Sequence, residues 1–438
     1  MKGREELTLA ESAARGAAGA RFLGLEALAS LRHRDFRLLW LGSFAYFSVT
    51  IFQFFAIGKL VAVYFPRVLG PSFPILLMLG IAGLIRGASM ILFAIPGGAL
   101  ADRFDRRRLA IITQVIAVVL VSLFSLLLAV GSIQVWQVFL LLFATSATQG
   151  FDLPARQALI PQLVGPEEVP SGVALLMGAT QSSMIYTSVL SGYALDALGI
   201  AGCYALSGIG HAGLLLALLL MRPQGRPPGS RHTSTLSQIR EGLRYARNDR
   251  LISSILIIVF ITSAFGLAVP VTLAPYWMLR VLKLSSTTWG LMGTMTGVGM
   301  TIAAYSLSGR RGSAYSGRLF FISALAVGAT IVAYGLNRSA ITQGVVQVFL
   351  GASGAAVGIS GATMIQTLVP NAVLGRVMSL FSLNQALPMA NGITVGAFAQ
   401  AVGITTAIPV IGVGLAVVVI GGAIALPSLR RHTRLESP

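Results

Sequence analysis

Long runs of apolar side chains dominate this sequence and restrict what it can fold into. Twelve of them, separated by charged or Gly/Pro-rich breaks, reach the roughly 17–25 residues that an α-helix needs to cross a bilayer. In chain order the runs are Leu38–Phe65, Phe73–Leu100, Leu109–Val130, Ile133–Leu153, Val169–Leu195, Ile200–Met221, Leu251–Leu279, Trp289–Leu307, Leu319–Leu336, Ala340–Leu368, Val377–Val402 and Thr405–Leu426. The sequence therefore predicts an all-α integral membrane protein with twelve transmembrane helices.

The composition excludes a soluble fold. Only 11% of the residues are charged and 55% are hydrophobic, whereas a soluble domain carries about 25% charged residues to solvate its surface. The net charge of +18 would fit nucleic-acid binding, but the arginines stand in short clusters between apolar runs, as they do in the cytoplasmic loops of membrane proteins. We therefore expect the chain to reside in a lipid bilayer and to bind no nucleic acid.

Residues that hold metals or cofactors are sparse. Cys203 is the only cysteine, so a disulfide framework within the chain and a cysteine-based metal site are both excluded. The four histidines lie far apart and no pair has ligand spacing on one helix; they are His33, His211, His232 and His432. No phosphate-binding GxxxxGK[ST] loop is present. We expect no metal, no cofactor and no ATP hydrolysis.

The basic residues predict the orientation of the chain. Nearly all of them fall in alternate loops, and the loops between contain only Arg67, Arg280, Lys283 and Arg338. Loops rich in Lys and Arg stay on the cytoplasmic side. The pattern predicts a multi-pass protein of a bacterial-type plasma (inner) membrane with both termini in the cytoplasm.

The longest hydrophilic stretch divides the twelve runs six and six, and a sequence echo supports two related halves. Leu159–Val164, before the fifth run, recurs as Leu368–Val373 before the eleventh, about half the chain later. We therefore predict two pseudo-symmetric six-helix bundles. The predicted parts are a cytoplasmic N-terminal tail (1–37), an N-terminal six-helix bundle (38–221), a cytoplasmic interdomain loop (222–250), a C-terminal six-helix bundle (251–426) and a cytoplasmic tail (427–438).

The loop between the second and third runs carries a candidate conformational gate. Gly98 permits close helix packing, and Asp102 can face the positive N-terminus of a neighbouring helix. Arg103 and Arg106 can clamp carboxylates across the cytoplasmic face. Such contacts would form in one conformation and break in another. Arg107 and Arg108 also fit a plain positive anchor at the membrane surface.

This loop resembles the signature of the major facilitator superfamily, G-x-L-a-D-R-x-G-R-R. The matching residues are Gly98, Leu100, Asp102, Arg103, Arg106 and Arg107. Asp105 stands where the superfamily usually has Gly, and the block 102–107 looks like the branch that holds the enterobactin exporter and macrolide-efflux proteins. Segments 36–42, 154–161 and 375–379 resemble that branch as well. The resemblance implies the major facilitator fold, alternating access, export and a functional monomer.

Two features of the sequence depart from the superfamily pattern. Many of its antiporters carry G-P-x-x-G-G in the fifth span, and here only the last glycine, Gly192, remains. The second copy of the loop motif has Gly309 in the place of Asp102, which predicts that the gate chemistry is one-sided.

Charged residues inside membrane spans are costly and therefore usually functional. Asp152 is the best membrane-proximal carboxylate, and the resemblance implies that it pairs with Arg103 or Arg106 in the gate. It fits a proton-sensing group or a structural ion pair. Arg86, in the second run, fits either a substrate or coupling contact or an internal pair with polar helix groups. Asp196 we interpret as a solvated helix cap.

By resemblance, the first, fourth, seventh and tenth spans line the central path. Their polar and aromatic residues are Tyr46, Gln53, Thr145, Gln149, Thr262, Thr272, Tyr276, Trp277 and Gln366, and Asn384, Gln385 and Asn391 follow on the eleventh span. Aromatic and amide groups with little charge suit an amphiphilic organic solute. The same residues also fit hydrogen bonds between helices.

These observations favour a secondary transporter, most simply a proton-coupled exporter of an amphiphilic compound of drug or siderophore type. A lipid or lysolipid flippase of the same fold is also compatible with the apolar spans. An intramembrane enzyme would need clustered nucleophile, base or metal residues, which are absent from the sequence pattern. A non-transporting receptor is the remaining alternative.

Overall fold

The computed structural model describes residues 25–222, 235–308 and 317–425. All of the secondary structure in these ranges is helical. The α-helices are α1 (Arg34–Lys59), α2 (Phe65–Leu69), α3 (Ile75–Arg103), α4 (Arg106–Val130), α5 (Val135–Leu163), α6 (Val169–Ala197), α7 (Gly199–Leu220), α8 (Thr235–Asn248), α9 (Arg250–Ile261), α10 (Ala274–Tyr276), α11 (Ser286–Ser308), α12 (Gly317–Leu336), α13 (Ala340–Leu368), α14 (Asn371–Ser382), α15 (Leu387–Ala390), α16 (Gly392–Val402) and α17 (Ile404–Ala425).

Local signals in the sequence set the helix ends. Helix α4 begins after Asp105, whose side chain accepts a hydrogen bond of 3.0 Å from the backbone nitrogen of Arg108 and so caps the helix. The same helix ends at Gly131, which takes a φ of 71° that favours glycine. Asp105, the residue that departs from the superfamily motif, is therefore a helix cap.

Ten helical segments in the described ranges are long and apolar enough to cross a membrane. They are Arg34–Leu69, Ile75–Gly98, Arg106–Val130, Val135–Leu163, Ser171–Ala197, Gly199–Leu220, Arg250–Val281, Gly317–Leu336, Ala340–Leu368 and Ile404–Ala425. The other two predicted runs lie in α11, which is rich in Thr, Ser and Gly, and in the interrupted stretch α14–α16. The all-helical, multi-span prediction is confirmed, whereas twelve separate spans remain a prediction.

Two stretches that face each other near the middle of the molecule are not regular α-helices. After α9 the chain forms three π-helical segments, Thr262–Leu267, Val269–Leu273 and Trp277–Val281. Between α14 and α16 it passes through a 3₁₀ turn at Leu383–Gln385 and the short α15. Helix interruptions at membrane depth are tolerated where they line a cavity, and π-helices are frequent at functional sites.

We call residues 25–222 the first segment and residues 250–425 the second segment. Across them, α6 packs on α11, and α3 packs on α15 and α16. A Cβ atom on Gly80 would lie 2.6 Å from the carbonyl oxygen of Gly392, and one on Gly87 would lie 2.6 Å from the backbone nitrogen of Ala390. Glycine thus lets the helix backbones touch.

The close contacts between the two segments lie in one half of the helix bundle. The contacting part of α6 is its last half, around Ser188 and Gly192, and the contacting part of α11 is its first half, around Gly290. We call the end where α6 ends and α11 begins the tight end. The described contacts between α3 and α16 lie in the half of α3 that begins at this same end.

Candidate functional site

A small cavity lies between the two segments. Its volume is about 40 Å³, and its lining comes from both segments: Phe54, Ile57, Gly58, Leu79, Ala82, Gly83, Arg86, Leu142, Val271, Thr272, Pro275 and Met389. Organic ligands occupy sites of roughly 300–1,000 Å³. In this conformation the cavity therefore has room for water but not for an organic solute.

Arg86 places a positively charged side chain in the lining of this cavity. It projects from the middle of the apolar part of α3, and its guanidinium carbon lies 6.0 Å from the centroid of the Phe54 ring. Among the described residues, no carboxylate forms an ion pair with it. Arg86 lines the cavity, where a solute could meet it, and its two interpretations, a substrate or coupling contact and an internal pair with polar helix groups, stay predictions.

The first segment contains a buried row of hydrogen-bonded side chains, which we call the polar ladder: Gln53, His211, Gln114, Asp152 and Arg156. Gln53 Nε2 lies 3.2 Å from His211 Nε2, and His211 Nδ1 lies 2.9 Å from Gln114 Oε1. Gln114 Nε2 then donates to Asp152 Oδ1 over 2.9 Å.

The donors of the polar ladder all point towards Asp152. Because the amide nitrogen of Gln53 can only donate, His211 must accept at Nε2 and carry its proton on Nδ1. Both ring nitrogens of this neutral histidine are therefore occupied. Across the described residues, no group of three His, Cys, Asp or Glu side chains is arranged to hold a metal ion.

An ion pair closes the polar ladder. Arg156 Nε lies 2.6 Å from Asp152 Oδ2, and both side chains are only 1% exposed. The Arg156 guanidinium also donates to Ser43 Oγ over 3.2 Å and lies 4.0 Å from the centroid of the Tyr46 ring. The contact of Arg156 with Ser43 joins α5 to α1. The Tyr46 ring packs against the Arg156 guanidinium and does not line the cavity.

This arrangement bears on two expectations from the sequence, and a pairing of Asp152 with Arg103 stays a prediction because the Arg103 side chain is outside the described part of the structure. The described ion-pair partner of Asp152 is Arg156, whereas Arg106 donates to the carbonyl oxygen of Ala158 over 2.7 Å. Arg156 does not lie in a loop after a span ending at Leu153, because α5 continues to Leu163 and buries it. The signal in the sequence was the spacing of four residues, which places an acid and a base on one helix face.

The predicted gate loop makes its described contacts within the first segment. Arg107 donates to the carbonyl oxygens of Leu218 and Leu219, at 2.8 and 3.0 Å, at the end of α7. Close packing against α5 falls on Gly97, where a Cβ would lie 2.9 Å from the carbonyl oxygen of Gly150; Gly98 is the next residue of α3. Asp102 and Arg103 lie in the last turn of α3, and their side chains are outside the described part of the structure.

The other predicted path residues are dispersed. Trp277 is fully buried and faces α12, with its ring centroid 5.9 Å from that of Tyr334. Gln366 and Gln385 are exposed. Three more are partly buried and do not line the cavity: Gln149, Tyr276 and Asn384. Of the candidate residues identified from the sequence, Arg86 and Thr272 line the cavity.

The tight end holds charged and polar contacts that the sequence interpretation missed. Lys59 Nζ lies 3.2 Å from Asp196 Oδ1. Asp196 Oδ2 accepts hydrogen bonds of 2.9 Å from the backbone nitrogen and from Oγ1 of Thr287, in the second segment. Asp196 is thus an exposed helix cap, as the sequence suggested, but the helix that it caps is α11 rather than its own. Sequence alone gives no signal for a cap that comes from a distant helix.

The fold agrees with that of solved transporters. A POT family transporter in complex with 5-aminolevulinic acid superimposes with a TM-score of 0.72 at 14% identity, over 91% of this chain and 97% of that one. The nucleoside transporter NupG gives a TM-score of 0.69 at 12% identity, over 90% and 100%. At these identities the likeness shows the fold alone. The architecture is that of a multi-span helical membrane protein with the fold of these transporters.

The sequence comparisons define the family. The profile of the family described as transmembrane secretion effectors matches residues 25–436, so the chain belongs to this family of the major facilitator superfamily. The enterobactin exporter EntS of Shigella boydii serotype 18 (strain CDC 3083-94 / BS512) is 27% identical over 314 residues, which are 69% of this chain and 72% of the relative. EntS of Escherichia coli O139:H28 (strain E24377A / ETEC) is 26% identical, with the same coverage.

Family membership and exporter relatives settle the class. The chain is a membrane transporter with exporter homologues and not an enzyme. The predicted resemblance to the enterobactin exporter branch is confirmed.

Proposed function

We propose that the protein is a secondary active exporter of an amphiphilic organic compound and works by alternating access. The observation that carries this proposal is the cavity lined by both segments, together with the described glycine contacts between the segments, which lie between the tight end and the level of the cavity. A solute site at a segment interface that closes at one end is what alternating access requires. In the second conformation the two segments would separate at the tight end and come into contact at the opposite end.

The proposed topology has twelve membrane passes in two six-helix bundles, 38–221 and 251–426, with the loop 222–250 and both tails (1–37 and 427–438) in the cytoplasm of a bacterial inner membrane. Helix α11 and the interrupted stretch α14–α16 would supply the two passes beyond the ten apolar segments. The basic residues of alternate loops support this orientation. Fusions of a periplasmic and a cytoplasmic reporter to the C-terminus would contradict it if only the periplasmic one were active.

Proton coupling is proposed to run through Asp152. A proton on its carboxylate would neutralise the partner of Arg156 and leave a buried cation without a counter-charge, which costs several kcal/mol and so favours a different arrangement of α5 and α1. The charged and titratable groups around this site are Arg156 on the same helix, the neutral His211 on α7 and Tyr46 on α1. The polar ladder gives the carboxylate its hydrogen-bond donors.

Transport in proteoliposomes tests both parts of the proposal. Enterobactin, a macrolide and a lysolipid are the solutes to screen, because enterobactin exporters are among the relatives and the apolar cavity lining suits amphiphiles. We expect one of them to accumulate when the lumen is acidic, and Asp152→Asn to keep exchange down a gradient but to lose the response to pH. The control is Glu167→Gln, which changes an exposed acid that does not line the cavity.

The functional proposal fails if no solute moves faster than through empty liposomes while the protein is folded. The coupling proposal alone fails if Asp152→Asn transports with the same response to the pH gradient as the unmodified protein.

A further inference from the structure

The central cavity contains a cation that the described part of the protein does not neutralise. We propose that the transported solute is an amphiphilic organic anion whose acidic group binds Arg86 and Thr272. The inference rests on the proposed transport function and narrows it to a class of substrate.

The position of Arg86 calls for a counter-charge. It lies on the face of α3 that meets the second segment, between Gly83 and Gly87, whose Cβ positions would touch Met389 and Ala390. A guanidinium among apolar side chains costs several kcal/mol unless water or an anion compensates it. Its described aromatic neighbour, Phe54, offers a weak cation–π contact at 6.0 Å.

The protein does not supply the counter-charge from its second segment. The sequence contains no Asp or Glu between Asp249 and Glu436. In the first segment, the buried carboxylate of Asp152 is already paired with Arg156. A cationic solute would therefore meet like charge in the cavity, whereas an anionic solute would remove the unfavourable charge.

Thr272 supplies an independent polar group on the opposite wall. Its side chain is 3% exposed, its Oγ1 has no hydrogen-bond partner among the described residues, and it lines the same cavity. An unmade hydrogen bond of a buried hydroxyl costs about 1–3 kcal/mol. Thr272 belongs to the π-helical segment Val269–Leu273, a feature that is frequent at functional sites.

The other side chains that line the cavity indicate what the rest of the solute molecule is like. Ile57, Leu142 and Val271 present only hydrocarbon to the cavity, which suits an alkyl or aromatic body and penalises a multiply charged, strongly hydrated one. The class is therefore a single carboxylate, sulfonate or acidic phenol attached to an apolar body. Such a solute would bridge Arg86 of the first segment and Thr272 of the second.

A matched series of probes tests this charge preference. N-decanoylglycine is anionic, its amide is neutral and N-decanoyl-ethylenediamine is cationic, while the acyl chain is the same in all three. Saturable binding is measured by equilibrium dialysis to the purified full-length protein in lipid nanodiscs, and empty nanodiscs correct for partitioning. We expect the anion to bind about tenfold more tightly than the neutral amide, as for a hydrogen bond to a charged group.

Variants assign the preference to the two residues. Arg86→Gln should abolish the preference for the anion, and Arg86→Lys should keep part of it. Thr272→Val should weaken binding of the anion severalfold without reversing the order of the series. The control is Arg318→Gln, which removes an exposed arginine at the start of α12 and should change nothing.

The inference is overturned if the unmodified protein binds the three probes alike, or if folded Arg86→Gln still prefers the anion. Should Arg86→Gln fail to fold, binding of the three probes is compared between the unmodified protein and Arg86→Lys, and an unchanged preference for the anion in Arg86→Lys would overturn the inference. Transport separates this inference from the proposed function. A charge preference that depends on Arg86, without movement of any solute, would overturn the function and keep the site. Transport of neutral or cationic solutes that does not depend on Arg86 would keep the proposed function and overturn the anion site.

Discussion

The carboxylate of Asp196 caps the first turn of a helix in the other segment by accepting two hydrogen bonds of 2.9 Å from Thr287. The opposite relation exists as well, because the backbone nitrogen of Leu76, at the start of α3, donates to Gln400 Oε1 over 3.1 Å. Each segment thus caps a helix of the other at the tight end. These two caps can exist only while the segments are joined there.

Removing the charged cap should loosen the tight end. Asp196→Ala deletes both hydrogen bonds to Thr287 and the partly exposed ion pair with Lys59, a loss of about 1 kcal/mol. We expect a cysteine at the cavity residue Val271, in a Cys203→Ala background, to react about fivefold faster with a membrane-impermeant maleimide added from the side of the tight end.

Two variants control this measurement. Glu167→Ala removes an exposed acid elsewhere and should leave the rate unchanged. Gln400→Ala should give a smaller increase than Asp196→Ala, because a neutral amide binds a helix N-terminus less strongly than a carboxylate does. An unchanged rate in Asp196→Ala would show that its cap does not hold the segments together.

Breaking the buried ion pair should destabilise the protein strongly. Asp152→Asn leaves the Arg156 charge buried without compensation, which costs about 3–5 kcal/mol. Cys203 is fully buried, so a thiol-reactive fluorophore reports unfolding on heating, and the midpoint should fall. The double variant Asp152→Asn/Arg156→Gln should recover part of the loss.

An exposed ion pair provides the comparison. Glu241 Oε2 and Arg376 Nε are 2.9 Å apart, but the side chains are 50% and 43% exposed. Glu241→Gln should therefore cost less than about 1 kcal/mol. Equal shifts of the midpoint for the two single variants would mean that the Asp152–Arg156 pair is not buried as described.

A methyl group between α3 and α16 should also separate the segments. In Gly80→Ala the new Cβ would lie 2.6 Å from the carbonyl oxygen of Gly392, so the two backbones must part. We expect faster maleimide labelling at Val271→Cys. Gly178→Ala, where a Cβ meets nothing within 4 Å, should label at the original rate, and equal rates for both variants would contradict the close contact.

A methyl group inside the second segment should act on stability instead. In Gly299→Ala the Cβ would meet the backbone of α13, including the nitrogen of Ala352 at 3.0 Å. Overpacking of this kind costs about 1–3 kcal/mol, so the thermal midpoint reported by Cys203 should fall. At Gly414 a Cβ has open space, and Gly414→Ala should keep or raise the midpoint because alanine favours helix.

The sequence predicted the helical membrane fold and its family well, because both depend on local patterns. Apolar runs such as Leu109–Val130 became helices with ends within a few residues, and the arginine-rich loop carried the superfamily signature. The interruptions around Pro270 and Leu383 were not predicted, since hydropathy does not distinguish π-helical from α-helical backbone.

The site was less predictable, because it depends on which helices meet. Arg86 was identified from its cost in lipid alone. Trp277 looked equally suitable, but it faces α12 because its helix turns through two π-helical segments before reaching it. Asp196 was assigned to solvent because its partner, Thr287, is 91 residues away in the chain.

The glycine contact between α3 and α16 has a consequence for the energetics of the proposed conformational cycle. Gly80, Gly392 and Gly396 meet backbone to backbone. Separation of the two helices would therefore require few changes of side-chain rotamer and would expose little apolar surface. Such a contact would keep the two proposed arrangements close in free energy. One organic molecule arriving between them can then tip the balance, since a ligand shifts an equilibrium only by its difference in affinity for the two states.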